Sequence, residues 1–103
     1  MIEVYAQRHG TRCRLLVTGH AESGAQQDAV CAAVSALTAA LVLYVLEKKT
    51  CRHVRYSMAS GEVFLSCHDP GEGFALVMRG LSAIAAEYPE HVRIVVDDKI
   101  ETL

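Results

Sequence analysis

The strongest constraint on this chain is an eighteen-residue stretch, Ala29 to Leu46, without a single formal charge. At about 1.5 Å per residue it is long enough for a helix at the lower edge of a membrane span. It is rich in alanine, however, and it carries Ser35 and Thr38. On either side lie segments with the two-residue period of β-strands. A core helix that is apolar on two sides meets the same description, and no membrane partner is expected. One face would present Val30, Val34, Leu37, Leu41, Tyr44 and Val45. A stripe of smaller volume would present Cys31, Ser35, Thr38 and Val42. A helix of this kind needs two covering surfaces: a sheet, and either a second helix or a second subunit.

The flanking pattern supplies the sheet. Ile2, Val4 and Ala6 alternate with Glu3, Tyr5 and Gln7, and Cys13, Leu15 and Val17 alternate with Arg12, Arg14 and Leu16. His9-Gly10-Thr11 between them reads as a hairpin turn. After the helix, Val54, Tyr56 and Met58 alternate, Ser60-Gly61-Glu62 turns the chain, and Val63, Leu65 and Cys67 alternate again. Asp69-Pro70-Gly71 ends that strand, since proline cannot donate to a ladder. Phe74, Val77, Met78, Leu81, Ile84, Ala85 and Tyr88 recur at helical spacing up to Pro89. Val92, Ile94 and Val96 form a last strand, and the polar tail from Asp97 is expected to fray. The order is β-β-α-β-β-α-β. It predicts a single α+β domain over residues 1–103, with two helices on one face of a mostly antiparallel five-stranded sheet.

Charge and cysteine content narrow the function. The formal net charge is −2, which argues against bulk electrostatic binding to nucleic acid. Arg8, Arg12, Arg14, Arg52 and Arg55 therefore read as a solvated sheet face, and no direct nucleic-acid partner is expected. The four cysteines, Cys13, Cys31, Cys51 and Cys67, form no CxxC pair. With no basic start followed by a short apolar run, they read as reduced thiols in a cytoplasmic protein. Cys13 and Cys67 fall on apolar strand sides. Cys67-His68-Asp69 is a poor metal site because adjacent strand residues face opposite ways.

One pairing of residues carries chemistry. His20 stands on a glycine-bounded loop, and Cys31 follows eleven residues later, near the start of the long helix. Asp28 is a good N-cap residue, which would put Cys31 at the third helical position. Unpaired backbone amides at a helix start favour a thiolate and can also hold an oxyanion. An imidazole in reach could take the thiol proton and return it to a leaving group. No cofactor is needed. Spacing alone does not separate this arrangement from a structural histidine and a buried cysteine.

The residues GHA followed by DAVCAAVSAL resemble the signature of the bacterial ribosomal-processing cysteine protease family, Prp, which carries GHA, a glycine-rich loop and D-I-V-C-A-A-V-S. MRGLSAIAAEYPEHVRI is similar to that family's second helix and last strand, so the resemblance spans the chain. It implies a cysteine endopeptidase that removes the N-terminal extension of large-subunit ribosomal protein twenty-seven after a hydrophobic, Phe-containing sequence. It also implies a homodimer. The catalytic dyad would be His20 and Cys31, with Asp28 as an orienting residue or cap. Gly19, Ala21, Gly24 and Ser35 would belong to the substrate loop and its surroundings. The loop is one residue shorter than the common family pattern, and Gln26 stands where a glycine is usual, leaving Gly24 to supply the freedom. The alternative is a non-enzymatic, ribosome-associated dimeric binding module in which His20 and Cys31 are structural.

Overall fold

The structure is a computed structural model that describes residues 1–19 and 25–97. Its elements follow the expected order: β1 (Ile2–His9), β2 (Arg12–Thr18), α1 (Ala25–Glu47), β3 (Arg52–Ala59), β4 (Glu62–His68), α2 (Gly73–Glu87) and β5 (Val92–Asp97). The strands form one sheet in the order β3-β4-β2-β1-β5. Every pairing is antiparallel except β1 with β5, which is parallel. The parallel pair has a simple cause. The chain returns through α2, on the same side of the sheet, before laying its last strand beside its first.

The alternation in the sequence becomes the two faces of this sheet. Ile2, Val4, Ala6, Cys13, Leu15, Val17, Leu65, Cys67 and Val92 are buried on the helix-covered face. From α1, Val30, Val34, Thr38, Leu41, Val42 and Val45 are buried with them. The two stripes expected of α1 thus merge into one broad buried face. Ser35 and Tyr44 are exposed exceptions, with Cys31 and Leu37 half-buried; Tyr44 is 42% exposed, and Leu43 and Leu46 nearby are 57% and 47% exposed. Thr38 is buried without cost because its hydroxyl donates to the carbonyls of Val34 (3.0 Å) and Ser35 (3.1 Å) within the helix.

The second covering surface is α2. Glycines on α2 set how closely the helices approach. A Cβ on Gly80 would lie 2.9 Å from Leu37, and one on Gly73 would lie 2.6 Å from the Tyr44 ring. Leu37 and Tyr44 are seven residues apart, as are Gly73 and Gly80, and the pairing runs in opposite directions. Leu37 and Tyr44 therefore sit on the bare backbone of an antiparallel neighbour. Phe74, Val77 and Leu81 complete the contact, fully buried at the spacing predicted for α2.

By length and composition Asp28–Glu47 could also cross a membrane. In this fold, the large apolar residues on one side of it are spent on the sheet and on α2. The tail expected to fray begins at Asp97, which the structure instead places at the end of β5, paired with Gln7; residues 98–103 lie outside the described residues.

Leu81 is completely buried between the layers. Leu81→Ala is expected to cost about 2–5 kcal/mol of unfolding free energy, measured by urea denaturation with an unchanged m-value.

Candidate active site

α1 begins at Ala25, three residues before the cap that Asp28 was expected to provide. Asp28 is instead the fourth helical residue, exposed in the first turn, where its carboxylate complements the helix dipole. Cys31 consequently falls at the seventh position and not the third. The free amides of the helix start belong to the residues about one turn before it. The misplacement has a local cause. Ala25-Gln26-Gln27 carries no apolar period and no capping side chain, so nothing in those three residues announces a helix.

Cys31 is half-buried and lines a cavity of about 220 Å³. Val34, Ser35 and Thr38 share its side of the cavity, and Ile2, Val17 and Gly19 form another wall. The opposite rim is the β3–β4 hairpin, Ala59 to Val63. Two features hold that hairpin against the end of β2. Thr18 pairs with Glu62 in register, and the Gly19 amide donates to the Gly61 carbonyl at 3.0 Å. Gly19 has φ of +97°, and a side chain there would drive a Cβ into the carbonyl oxygen of Met1. Only glycine fits where β2 leads into the loop.

Of the residues singled out in the sequence, Gly19, Cys31 and Ser35 therefore converge on one cavity. His20, Ala21 and Gly24 lie outside the described residues. The hairpin rim was missed. Ser60-Gly61 is readable as a turn, but its place beside Cys31 depends on β2–β4 pairing between residues more than forty apart in sequence.

The remaining cysteines are structural. Cys13 and Cys67 face each other across β2 and β4, both buried. Burial pushes the Cys13 thiol up, an effect that nearby Arg8 only partly offsets. Burial, reinforced by a hydrogen bond with the Cys51 thiol, pushes Cys67 up to about 12. None of the four cysteines is in a disulfide. Among the described residues no cluster of histidine, cysteine and carboxylate side chains is arranged to hold a metal ion.

The electrostatics predict an order of thiol reactivity. The alkylating species is the thiolate. Raising Cys67 from 9.0 to about 12 removes about three decades of its thiolate at pH 8. Iodoacetamide at pH 8 should label Cys31 before Cys13 and Cys67, which are labelled only as the pH rises far above 9 or the chain unfolds. Peptide mass spectrometry reads the order, and labelling of Cys67 ahead of Cys31 would contradict it.

Comparison with known proteins now adds to this geometry. Three of the solved structures that share the fold illustrate the match. One is SMU.848 from Streptococcus mutans (22% identity, TM-score 0.76, covering 96% of this chain and 99% of that one). The others are the essential ribosomal processing protease Prp from S. aureus, in complex with a covalently linked product peptide (23%, 0.77) and with a substrate peptide (20%, 0.78). Each covers 94% of this chain and 100% of the other. Among curated proteins, no sequence matches this chain. The family model for cysteine protease Prp matches residues 1–93, from the first strand into the last, and the chain accordingly belongs to the Prp family of cysteine proteases.

Proposed function

We propose that this cysteine protease removes the N-terminal extension of large-subunit ribosomal protein twenty-seven in the bacterial cytoplasm, with Cys31 as nucleophile and His20 as general base. The observation that carries the reading is the position of Cys31. It lies on the wall of a cavity that opens between the start of α1, the end of β2 and the β3–β4 hairpin. His20 directly follows Gly19, which lines the same cavity. The solved Prp structures from S. aureus, with substrate and product peptides bound, favour a peptide ligand here too.

The chemistry follows from these residues. The Cys31 thiol gives its proton to His20, and the sulfur attacks the scissile carbonyl carbon. The attack gives a tetrahedral oxyanion intermediate. Collapse of this intermediate breaks the C–N bond, and His20 returns the proton to the departing amine. Water, deprotonated by His20, then hydrolyses the thioester. Asp28, one helical turn before Cys31, orients the imidazole of His20. Ser35, one turn beyond Cys31, contacts the bound peptide. The substrate's apolar side chains are received by Ile2, Val17, Val34 and Val63 on the cavity walls. Met58 and Tyr56 extend that surface. They share the sheet face of Val63 and Leu65, their register partners, yet stand 49% and 50% exposed.

The direct test uses a peptide spanning the extension junction of the host's own ribosomal protein twenty-seven. Wild-type protein should cut it once, and Cys31→Ala and His20→Ala should each lower the rate by at least about 10³-fold. An intact peptide with the wild type, or equal cleavage by Cys31→Ala, would sink the proposal. The non-enzymatic alternative loses its ground with membership of a protease family.

A homodimer belongs to the same proposal. Leu43, Tyr44 and Leu46 on α1 and Leu76 on α2 are 42–70% exposed, an apolar surface that a second copy would cover. Sedimentation at micromolar concentration should give a dimer, and Leu76→Asp should give a monomer with an unchanged melting profile.

A further inference from the structure

The face of the sheet away from the helices has a composition of its own. Register places Val95, Tyr5, Leu16, Phe64 and Ser57 in one row across all five strands. The neighbouring row holds Gln7, Arg14, Ser66 and Arg55, with Asp97 at its β5 end, and Arg12 pairs with His68 one step further on. An aromatic and aliphatic row thus runs beside a basic one. Arg14 lies over the Phe64 ring, 5.6 Å from its centroid. These two side chains, with Tyr5, Gln7 and Leu16, line a cavity of about 330 Å³.

Apart from Asp97 at the β5 end of the row, beyond Gln7, the carboxylates of this face stand away from the arginines. Glu3 is held by Arg93, and Glu62 occupies the opposite end of the sheet from Arg12. The register partners of Arg12, Arg14 and Arg55 are His9, Gln7, Ser66 and His68, none of them acidic. The net charge of −2 is an average over the chain and does not describe this surface. Arginines two residues apart on one strand, such as Arg12 and Arg14, repeat at about 7 Å on the same face.

We propose that this open face binds single-stranded RNA. Bases stack on Phe64, Tyr5 and the Arg14 guanidinium plane, and phosphates lie along Arg12, Arg14 and Arg55. Ser57 and Gln7 border the ring row as partners for ribose hydroxyls. Other occupants fit less well. An acidic peptide would use the arginines and leave the flat rings unstacked. A duplex hides its base faces. A second copy would bring the basic row to a surface that is itself basic. The site lies on the sheet face opposite the Cys31 cavity and does not depend on the proposed proteolysis.

The test is fluorescence anisotropy with full-length protein and a labelled oligouridylate of ~12 nucleotides. Saturable binding is expected at about 50 mM KCl. The logarithm of the affinity should fall with the logarithm of salt at a slope of about −2, for three phosphate contacts. Arg14→Gln with Arg55→Gln should flatten that slope to below about −1. Phe64→Leu and Tyr5→Leu, which keep apolar bulk, should each weaken binding by about tenfold. Cys31→Ala should bind like the wild type. Thermal melting of each variant checks that it is folded.

The proposal is overturned by absence of saturable binding, or by folded face variants that bind like the wild type. It is equally overturned if DNA of the same sequence binds more tightly, if duplex RNA binds as well, or if polyglutamate competes as well as RNA. Finally, a dimer that Arg14→Gln with Arg55→Gln dissociates would assign the face to a second copy and overturn it.

Discussion

Everything in this structure leans on the burial of one side of α1. Val30, Val34, Leu41, Val42 and Val45 are each at most 3% exposed. Complete burial of such side chains is worth about 1.5–3 kcal/mol each before chain entropy is subtracted. The same contact orients the Cys31 thiol. Cys31 follows Val30 directly, so once Val30 and Val34 are seated in the core, the sulfur can face only the rim of the sheet. A side chain mounted beside a core residue on a rigid helix keeps its position without a dedicated support.

The glycines of α2 complete that support. With alanine in place of Gly73 and Gly80, Tyr44 and Leu37 would be pushed outward and the helices would separate. The close approach is a sequence property of α2, although the side chains that use it belong to α1. Neither helix alone announces the fit. The same contact leaves Tyr44 partly at the surface, because a ring resting on Gly73 has only one covered side.

What could be read in advance and what could not divides along a physical line. Period-two and period-3.6 patterns are local, and they fixed all seven elements in order and the buried side of β1, β2 and β4, but not of the edge strands, where Tyr56, Met58 and Val96 are exposed. The Cys31 neighbourhood was legible in part: Gly19 and Ser35 do meet Cys31 at one cavity. The start of α1 was misplaced because Ala25-Gln26-Gln27 has neither a cap nor an apolar rhythm, while Asp28 is chemically apt for both a cap and a first turn. The hairpin rim at Ala59–Val63 was invisible for another reason. Its place is decided by strand pairing over long sequence separations, to which local patterns are blind. Of the arginines read as one sheet face, Arg12, Arg14 and Arg55 share the open face, whereas Arg8 pairs with the buried Cys13 on the helix side, and net charge could not say how they are sorted.

The parallel pairing of β1 with β5 has a consequence in time. Ile2 lines the cavity that holds Cys31, and its amide is bonded to the His91 carbonyl, just ahead of the final strand. During synthesis the hairpin, α1 and their cysteine emerge first, but β1 keeps a bare edge until residues 92–97 arrive. Contacts this distant in sequence are the slow ones to form. A nascent chain therefore carries every residue that lines the cavity well before the strand that fixes the Ile2 wall in place, and the cavity takes its final shape only once β5 has paired with β1.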